Sequence, residues 1–363
     1  MKLGIVGLPN VGKSTLFNSI TKAGAEVANY PFCTIDPNVG IVPVPDKRLT
    51  FLLNLYNAKK VVPATVEFVD IAGLVKGASN GEGLGNQFLA HIRETAAIIH
   101  VVRCFESKNV THVMGDVDPL RDIEIIETEL ILADMDSISK RIERLQKATR
   151  LNDKKMLSER ELAIKVKSHL DAGNPARTLN LNDEEKINIK DFFLITAKPV
   201  VYACNVDEST LPSMENKYTN LVKEKAEKEG TQTISICAKV EAELSELSEN
   251  DQEIFLKDLG LQEPGLNRLI KAGYNLLGLA TFLTAGQMEV RAWTIKKGGL
   301  APQAAGVIHS DFERGFIRAD VMSFNDLFRL GSQKAVKDAG LFRSEGKEYV
   351  VRDGDIIEFR FNV

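Results

Sequence analysis

Short runs of apolar residues recur along the first two thirds of the chain and alternate with segments of helical periodicity. Such runs stand at Lys2–Val6, Val66–Ile71, Ile98–Arg103, Val200–Asn205 and Thr233–Cys237. Apolar runs without polar alternation are typical of strands that are buried on both faces of a parallel sheet, with helices in the crossovers. The pattern predicts an α/β fold built on a mostly parallel sheet.

A long segment separates the third run from the fourth, where an ordinary crossover needs about a dozen residues. Within it, apolar residues follow the 4-3-4-3 spacing of a coiled-coil stripe, at Ile131, Met135, Ile138, Ile142 and Leu145. A polar turn near Asn152–Asp153 is followed by a returning helical pattern at Leu162–Leu170. We therefore expect a helical coiled-coil hairpin, the arm, inserted into the sheet domain.

The pattern changes again beyond residue 278, where short strands and turns replace the alternation of strand and helix. Strands are predicted at Glu289–Ile295, Gly315–Ala319, Tyr349–Val351 and Ile356–Phe361, with an Asp-Gly turn before the last. The acidic segment at 241–263 is predicted to be a loop or weakly helical. We assign residues 1–120 and 199–277 to the sheet domain, 121–198 to the arm and 278–363 to a small α+β domain.

Composition narrows the class of protein. The 363 residues are 44% hydrophobic and 26% charged, and no apolar run approaches the ~18 residues of a membrane span. The four cysteines have no CxxC spacing, so we expect a soluble protein of the reducing cytoplasm that does not contact a membrane. A net charge of −4 argues against wholesale coating of nucleic acid and leaves room for a local basic patch.

The arm holds such a patch. Between Ser139 and Lys167 it carries ten Lys and Arg residues against four Asp and Glu. Two interpretations stay open, a solvated coiled-coil face and a basic surface that binds RNA or the ribosome.

The segment Gly7–Ser14 carries the clearest chemistry, because GLPNVGKS fits the phosphate-loop pattern G-x-x-x-x-G-K-[ST] between a strand and a helix. Backbone amides of such a loop and the helix N-terminus surround phosphate oxygens. Lys13 is expected to reach the β- and γ-phosphates, and the Ser14 hydroxyl to hold Mg²⁺. The residues expected to contact the nucleotide phosphates are Asn10, Val11, Gly12, Lys13, Ser14 and Thr15.

Three further residues complete the predicted phosphate and magnesium site. Asp70 and Gly73 stand in a D-x-x-G segment at the end of the second run, where the carboxylate can hold a magnesium-bound water and the glycine amide can touch the γ-phosphate. Thr34 lies between the phosphate loop and Asp70 and is a candidate magnesium ligand. Many GTPases have a water-orienting Gln after D-x-x-G, whereas this chain has Leu74, so intrinsic hydrolysis should be slow.

The fourth run ends in the segment where this class of sheet reads the base. GTPases carry N-K-x-D there, and its Asp accepts hydrogen bonds from two neighbouring guanine donors. Here Asn205 is followed by Val206 in place of Lys and by Glu208 in place of Asp, which favours adenine over guanine. The sequence ICAK at 236–239 resembles the S-A-K loop that closes over the base, and Ala238 is assigned to the base site.

Together these motifs resemble the Obg-like ATPase, or YchF, family of P-loop NTPases over essentially the whole chain. The resemblance implies a GTPase-type fold with adenine specificity, a coiled-coil insertion and a C-terminal TGS domain of β-grasp type. It also implies binding to ribosomes or nucleic acid, through the arm or the TGS domain.

We therefore expect a slow Mg²⁺-dependent ATPase that binds ATP and ADP and acts as a switch with the ribosome or RNA. A GTPase of the same fold and a non-catalytic, nucleotide-dependent adaptor stay open as alternatives. Asn10 could help to hold K⁺ and so replace the missing Gln, although a surface asparagine is the simpler interpretation. His91 as a water-orienting group and Cys33 as a redox group are weaker candidates, each more simply an ordinary packed or surface side chain.

Overall fold

The computed structural model of the protein describes residues 1–24, 38–71, 84–107, 112–148 and 154–362. The chain forms two compact units, one of Met1–Ile41 with Glu67–Leu269 and one of Val42–Val66 with Ile270–Val363. The predicted division placed residues 42–66 in the sheet domain, whereas the structure groups them with the C-terminal residues.

The strands are β1 (Lys2–Val6), β2 (Val39–Pro43), β3 (Val61–Val62), β4 (Thr65–Asp70), β5 (Ala97–Arg103), β6 (Val200–Asn205), β7 (Gln232–Ile236), β8 (Leu279–Ala285), β9 (Val290–Lys296), β10 (Phe316–Ser323), β11 (Arg343–Glu345) and β12 (Asp355–Phe361). The helices are α1 (Lys13–Gly24), α2 (Lys47–Tyr56), α3 (Leu84–Glu94), α4 (Pro119–Ala148), α5 (Lys154–Asp171), α6 (Asp183–Asn188), α7 (Lys217–Glu229), α8 (Ala238–Leu244), α9 (Glu249–Asp258), α10 (Gly265–Leu276), α11 (Ala301–Ile308), α12 (Ser310–Arg314), α13 (Phe324–Leu330) and α14 (Gln333–Asp338). Short 3₁₀ turns stand at Ala176–Thr178, Ile189–Phe192 and Glu208–Thr210.

The first sheet has the strand order β2-β4-β1-β5-β6-β7. β1 pairs in parallel with β4 and β5, and β6 pairs in parallel with β5 and β7. Every residue of β5 and β6 is buried, which explains why their sequences are nearly unbroken apolar runs. The predicted α/β fold with a mostly parallel sheet is confirmed.

The arm follows from the predicted stripe. Ile131, Ile138 and Leu145 of α4 pack in one apolar cluster with Leu162 and Val166 of α5, and Met135 and Ile142 border this cluster. α5 begins earlier than the predicted returning helix, at Lys154, and the predicted turn at 152–153 lies outside the described residues.

Buried polar contacts attach the root of the arm to the sheet. The Asp134 carboxylate on α4 accepts hydrogen bonds from the backbone of Ile195 at 2.9 Å and of Thr196 at 2.7 Å. Arg177 contacts the Glu127 carboxylate and donates to Glu229 at 2.8 Å. Arg177 and its two carboxylates have opposite charges, and the Asp134 carboxylate accepts backbone hydrogen bonds. These partners lower the penalty for burying the charges.

The C-terminal unit has a second sheet, with the order β11-β10-β12-β8-β9-β3. β8 and β9 form an antiparallel hairpin, and β12 lies parallel to β8. Apolar residues of these strands enclose Ala301, Ala304 and Ala305 of α11, so the unit has the helix-on-sheet arrangement that the β-grasp prediction requires.

Several sequence predictions in this part of the chain are wrong. The predicted strand Tyr349–Val351 is absent from the described residues and is replaced by an isolated bridge between Val350 and Leu300. β2, β3, β8 and β11 were not predicted. The acidic segment 241–263, predicted as a loop or weakly helical, contains α9 and most of α8. Ser248 caps α9 by accepting a hydrogen bond from the Asp251 amide.

Residues 42–66 join the C-terminal unit through packing that the sequence pattern does not reveal. The Arg48 guanidinium lies 2.7 Å from the Asp353 carboxylate, and the ring of Phe51 lies 5.5 Å from that of Phe324. β3 pairs with β9. Across the described parts of the chain, no helix has the length and apolarity needed to cross a membrane.

Candidate active site

The phosphate loop connects β1 to α1, as the sequence predicts. Two of its residues have left-handed backbone conformations, Asn10 with φ 65° and Gly12 with φ 95°. A Cβ on Gly7 would lie 2.8 Å from the Val101 carbonyl oxygen, so this position accepts only glycine. The loop is therefore tightly wound at the point where α1 presents its N-terminus.

Parallel pairing brings the other predicted segments to the same edge of the sheet, because the carboxyl ends of neighbouring parallel strands meet there. Asp70 ends β4, Asn205 ends β6 and Ala238 follows β7. A cavity of about 1250 Å³ lies at this edge. The predicted site residues that line it are Asn10, Gly12, Lys13, Ser14, Thr15, Asn205, Val206, Glu208 and Ala238.

The phosphate end of the cavity contains a buried cation beside a carboxylate. Lys13 is buried, and its Nζ contacts the Asp70 carboxylate. Ser14 is exposed to the cavity. A hydroxyl and a carboxylate are the hard oxygen donors that Mg²⁺ prefers, and Mg²⁺ takes its other ligands from phosphates and water. The residues present therefore fit a magnesium ion that is bound together with a nucleotide; Thr34 and Gly73, also predicted here, lie outside the described residues.

Asn205 connects the two ends of the cavity. Its side chain is buried, and its Nδ2 donates to the Val11 carbonyl at 2.8 Å. Its Oδ1 accepts from the Ala238 amide at 3.0 Å. A Cβ on Gly12 would lie 2.2 Å from Asn205 Nδ2, so glycine is needed where the loop passes this side chain. Asn205 thus holds the phosphate loop to the segment after β7, and Val11, itself buried, takes part through its carbonyl.

The base end differs from the guanine-reading pattern in structure as well as in sequence. Val206 is buried, and its amide donates to the Ile236 carbonyl at 2.9 Å. The Glu208 carboxylate lies 2.6 Å from Lys239 Nζ, and this hydrogen bond raises the pKa of Lys239. The carboxylate that replaces the guanine-reading Asp is therefore already in an ion pair.

Sequence reasoning missed the segment after β5, which supplies Phe105, Glu106 and Ser107 to the cavity. Glu106 accepts a hydrogen bond from Tyr218 Oη at 2.5 Å, and Lys217 Nζ lies 3.1 Å away. These two bonds lower the pKa of Glu106. The position of this segment could have been predicted, since the predicted strand β5 had to end beside the phosphate loop. Its residues could not, because no motif marks them.

The remaining residues of the cavity wall come from the phosphate loop, the segments after β6 and β7, α8 and the turn after α8. They are Leu8, Pro9, Asp207, Cys237, Lys239, Ala242, Glu243 and Glu246. Burial raises the pKa of the Cys237 thiol, which favours its neutral form. His91 is exposed on α3 and is not part of the described cavity wall, while Cys33 and Leu74 lie outside the described residues.

Comparison with known proteins agrees with this architecture. Residues 2–133 match a family model described as 50S ribosome-binding GTPase, and residues 279–362 match the YchF-GTPase C-terminal family, described as a protein of unknown function. A Bacillus subtilis protein named ribosome-binding ATPase YchF is 56% identical over 361 residues, covering 99% of each chain. The chain belongs to the YchF family.

Other YchF proteins support the assignment along the whole length. The Haemophilus influenzae ribosome-binding ATPase YchF is 53% identical over 362 residues, covering 100% of this chain and 99% of the relative. A solved structure described as the Schizosaccharomyces pombe YchF GTPase has a TM-score of 0.90 at 42% identity, covering 99% of this chain and 97% of that one. The fold is therefore that of YchF throughout, while the bacterial relatives are named ATPases and the fission-yeast protein is named a GTPase.

Proposed function

We propose that this YchF protein is a slow, Mg²⁺-dependent ATPase that acts as a nucleotide-controlled switch on the ribosome. The observation that carries the choice of ATP is the base end of the cavity, where Val206 is buried and the Glu208 carboxylate is paired with Lys239. Guanine recognition needs a carboxylate that accepts from two adjacent ring donors, and the carboxylate at that position, Glu208, is already in an ion pair. The curated relatives named ribosome-binding ATPase support the same choice.

In this proposal the chain's own residues position the triphosphate. Lys13, which contacts the Asp70 carboxylate, would offset charge on the β- and γ-phosphates, and Asp70 would help to hold a magnesium ion through a water. Ser14 and Thr34 would help to hold the magnesium ion, and the Gly73 amide would contact the γ-phosphate. Bound Mg²⁺ would neutralise developing charge on the phosphate oxygens. Hydrolysis is slow because Leu74 cannot orient the attacking water.

A potassium ion is a further part of the proposal. Asn10 lines the cavity with its backbone in the left-handed region, which places this side chain in the loop that surrounds the phosphates. Its amide oxygen would help to hold K⁺, and the ion would supply positive charge near the phosphates. This charge would partly replace the water-orienting Gln that the chain lacks. An asparagine that merely suits a tight turn is the alternative.

The partner surface in this proposal is the basic arm, with the C-terminal unit as the second choice. Arg144, Lys154 and Lys155 are exposed near the end of the helical hairpin, and clustered cations favour RNA phosphates. Such a protein would work in the cytoplasm, where ribosomes are.

Single-turnover hydrolysis tests the enzymatic part. With excess protein, labelled ATP and Mg²⁺, the unmodified chain should release phosphate above background. Lys13→Ala should abolish release, because it removes the cation expected to face the phosphates. Ser14→Ala should raise the Mg²⁺ concentration needed for half-maximal release, since its hydroxyl is the proposed ligand. Phosphate release by Lys13→Ala at the unmodified rate would contradict the assignment.

Two alternatives remain distinguishable by the same assay. A GTPase is favoured by the name of the fission-yeast YchF GTPase, and it would release phosphate faster from GTP than from ATP. A non-catalytic adaptor would bind nucleotide with no release above background.

A further inference from the structure

An exposed ion pair stands at the base end of the cavity. Lys239 Nζ lies 2.6 Å from Glu208 Oε2 and 3.9 Å from Glu243 Oε1. All three residues line the cavity. The lysine therefore lies between two carboxylates, close to only the first.

The backbone around Lys239 is fixed independently of this pair. Lys239 follows Ala238, whose amide is bound by Asn205, and it belongs to the first turn of α8. On the other side, Glu208 opens a 3₁₀ turn in which Thr210 Oγ1 donates to the Asp207 carbonyl at 2.7 Å. Two anchored backbones thus present the cation and the carboxylate to each other.

We propose that Lys239 determines base specificity by holding the Glu208 carboxylate in an ion pair, so that this carboxylate cannot accept the two hydrogen bonds that guanine needs. The inference rests on the proposed function, since it explains how a YchF protein discriminates against GTP. Glu208 is only one methylene longer than the Asp of guanine-reading sites, and its side chain could flex to compensate. The lysine opposes this compensation, because guanine would first have to break the pair.

The expected effect is moderate because both side chains are partly exposed, 67% for Lys239 and 46% for Glu208. Exposed pairs contribute at most about 1 kcal/mol, which corresponds to roughly fivefold in an equilibrium constant. Lys239→Met keeps the length of the side chain and removes its charge. We expect this variant to lower the ratio of ATP affinity to GTP affinity by roughly three- to fivefold.

Two further variants distinguish an effect of the Glu208–Lys239 pair from a general effect of removing a positive charge near the cavity. Lys239→Met with Glu208→Gln removes the released carboxylate, so the affinity ratio should return to that of the unmodified protein. Lys217→Met is a matched control, because Lys217 is a 71% exposed lysine paired at 3.1 Å with Glu106, another carboxylate of the cavity wall. It should weaken both nucleotides alike and leave the ratio unchanged.

The measurement is equilibrium titration of the full chain with fluorescent ATP and GTP analogues at fixed Mg²⁺. An unchanged ratio in Lys239→Met, or an equal fall in Lys217→Met, would overturn the inference. A fall that persists in the double variant would also overturn it, because the carboxylate would then have no part in the effect. Failure of the proposed function has a different signature, a preference for GTP in the unmodified protein.

Discussion

Removal of the Asn205 side chain should damage both stability and nucleotide binding. Asn205→Ala leaves the Val11 carbonyl and the Ala238 amide without the hydrogen bonds of 2.8 Å and 3.0 Å that they make now. A buried backbone group without a partner costs about 1–3 kcal/mol, and two such groups cost about 2–6 kcal/mol. We expect the free energy of unfolding to fall by about 2–4 kcal/mol, because water in the adjacent cavity can reach part of the exposed polar surface.

The effect on nucleotide binding follows from the position of the two bonds. Val11 belongs to the phosphate loop and Ala238 to the base segment, so the variant separates the two ends of the site. Both segments would then be ordered by the nucleotide itself, at a cost to affinity. We expect ATP affinity to fall at least ~10-fold, or about 1.4 kcal/mol.

A second buried residue provides the control. Thr196 is buried at the root of the arm, where its hydroxyl donates to Asp134 at 2.6 Å and accepts from the Ala176 amide at 3.1 Å. Thr196→Val also loses two buried hydrogen bonds, so urea unfolding should show a comparable loss of stability with unchanged ATP affinity. ATP affinity within twofold of the unmodified protein in Asn205→Ala would refute the connecting role.

Three further predictions concern other parts of the molecule. If Asn10 helps to hold K⁺, ATP turnover in K⁺ should exceed turnover in Na⁺ at equal ionic strength. Equal rates would exclude a role for K⁺ in turnover. Arg144→Glu with Lys155→Glu should weaken ribosome or RNA binding, most visibly at low salt, without changing ATP hydrolysis; unchanged binding would move the partner site to the C-terminal unit. Arg141 is unsuitable for that test because it binds Glu159 at 2.6 Å. Burial lowers the pKa of His100 to about 3, whereas its unfolded value is about 6.5. Between pH 3 and pH 6.5 the His100 side chain binds a proton in the unfolded state only. The free energy of unfolding therefore falls as the pH falls below 6.5, by about 1.4 kcal/mol at pH 5.5. Urea unfolding at pH 7.5 and 5.5 should show that component in the unmodified protein and not in His100→Phe.

The sheet and the phosphate loop were predictable because local patterns determine them. Buried parallel strands require apolar runs. The loop between β1 and α1 requires glycine at Gly7 and Gly12. Both features can therefore be recognised in short stretches of sequence. The stripe from Ile131 to Leu145 predicted the arm for the same reason.

Features that depend on contacts between distant segments could not be predicted. Residues 42–66 belong to the C-terminal unit through Arg48, Phe51 and β3, and nothing within the segment names those partners. Phe105 and Glu106 carry no motif, and the pairing of Glu208 with Lys239 joins residues that follow different strands. The preference for adenine is a prediction from the absence of a guanine signature, and that absence does not reveal what each side chain contacts.

The central claim is selectivity for ATP, and direct comparison of nucleotide affinities tests it best. Fluorescent ATP and GTP analogues would be titrated against the unmodified protein and against Val206→Lys with Glu208→Asp, at one fixed Mg²⁺ concentration. ATP should bind the unmodified protein at least ~10-fold more tightly than GTP, about 1.4 kcal/mol, and the double change should narrow or invert that difference. Equal affinities in the unmodified protein, or tighter binding of GTP, would contradict the claim.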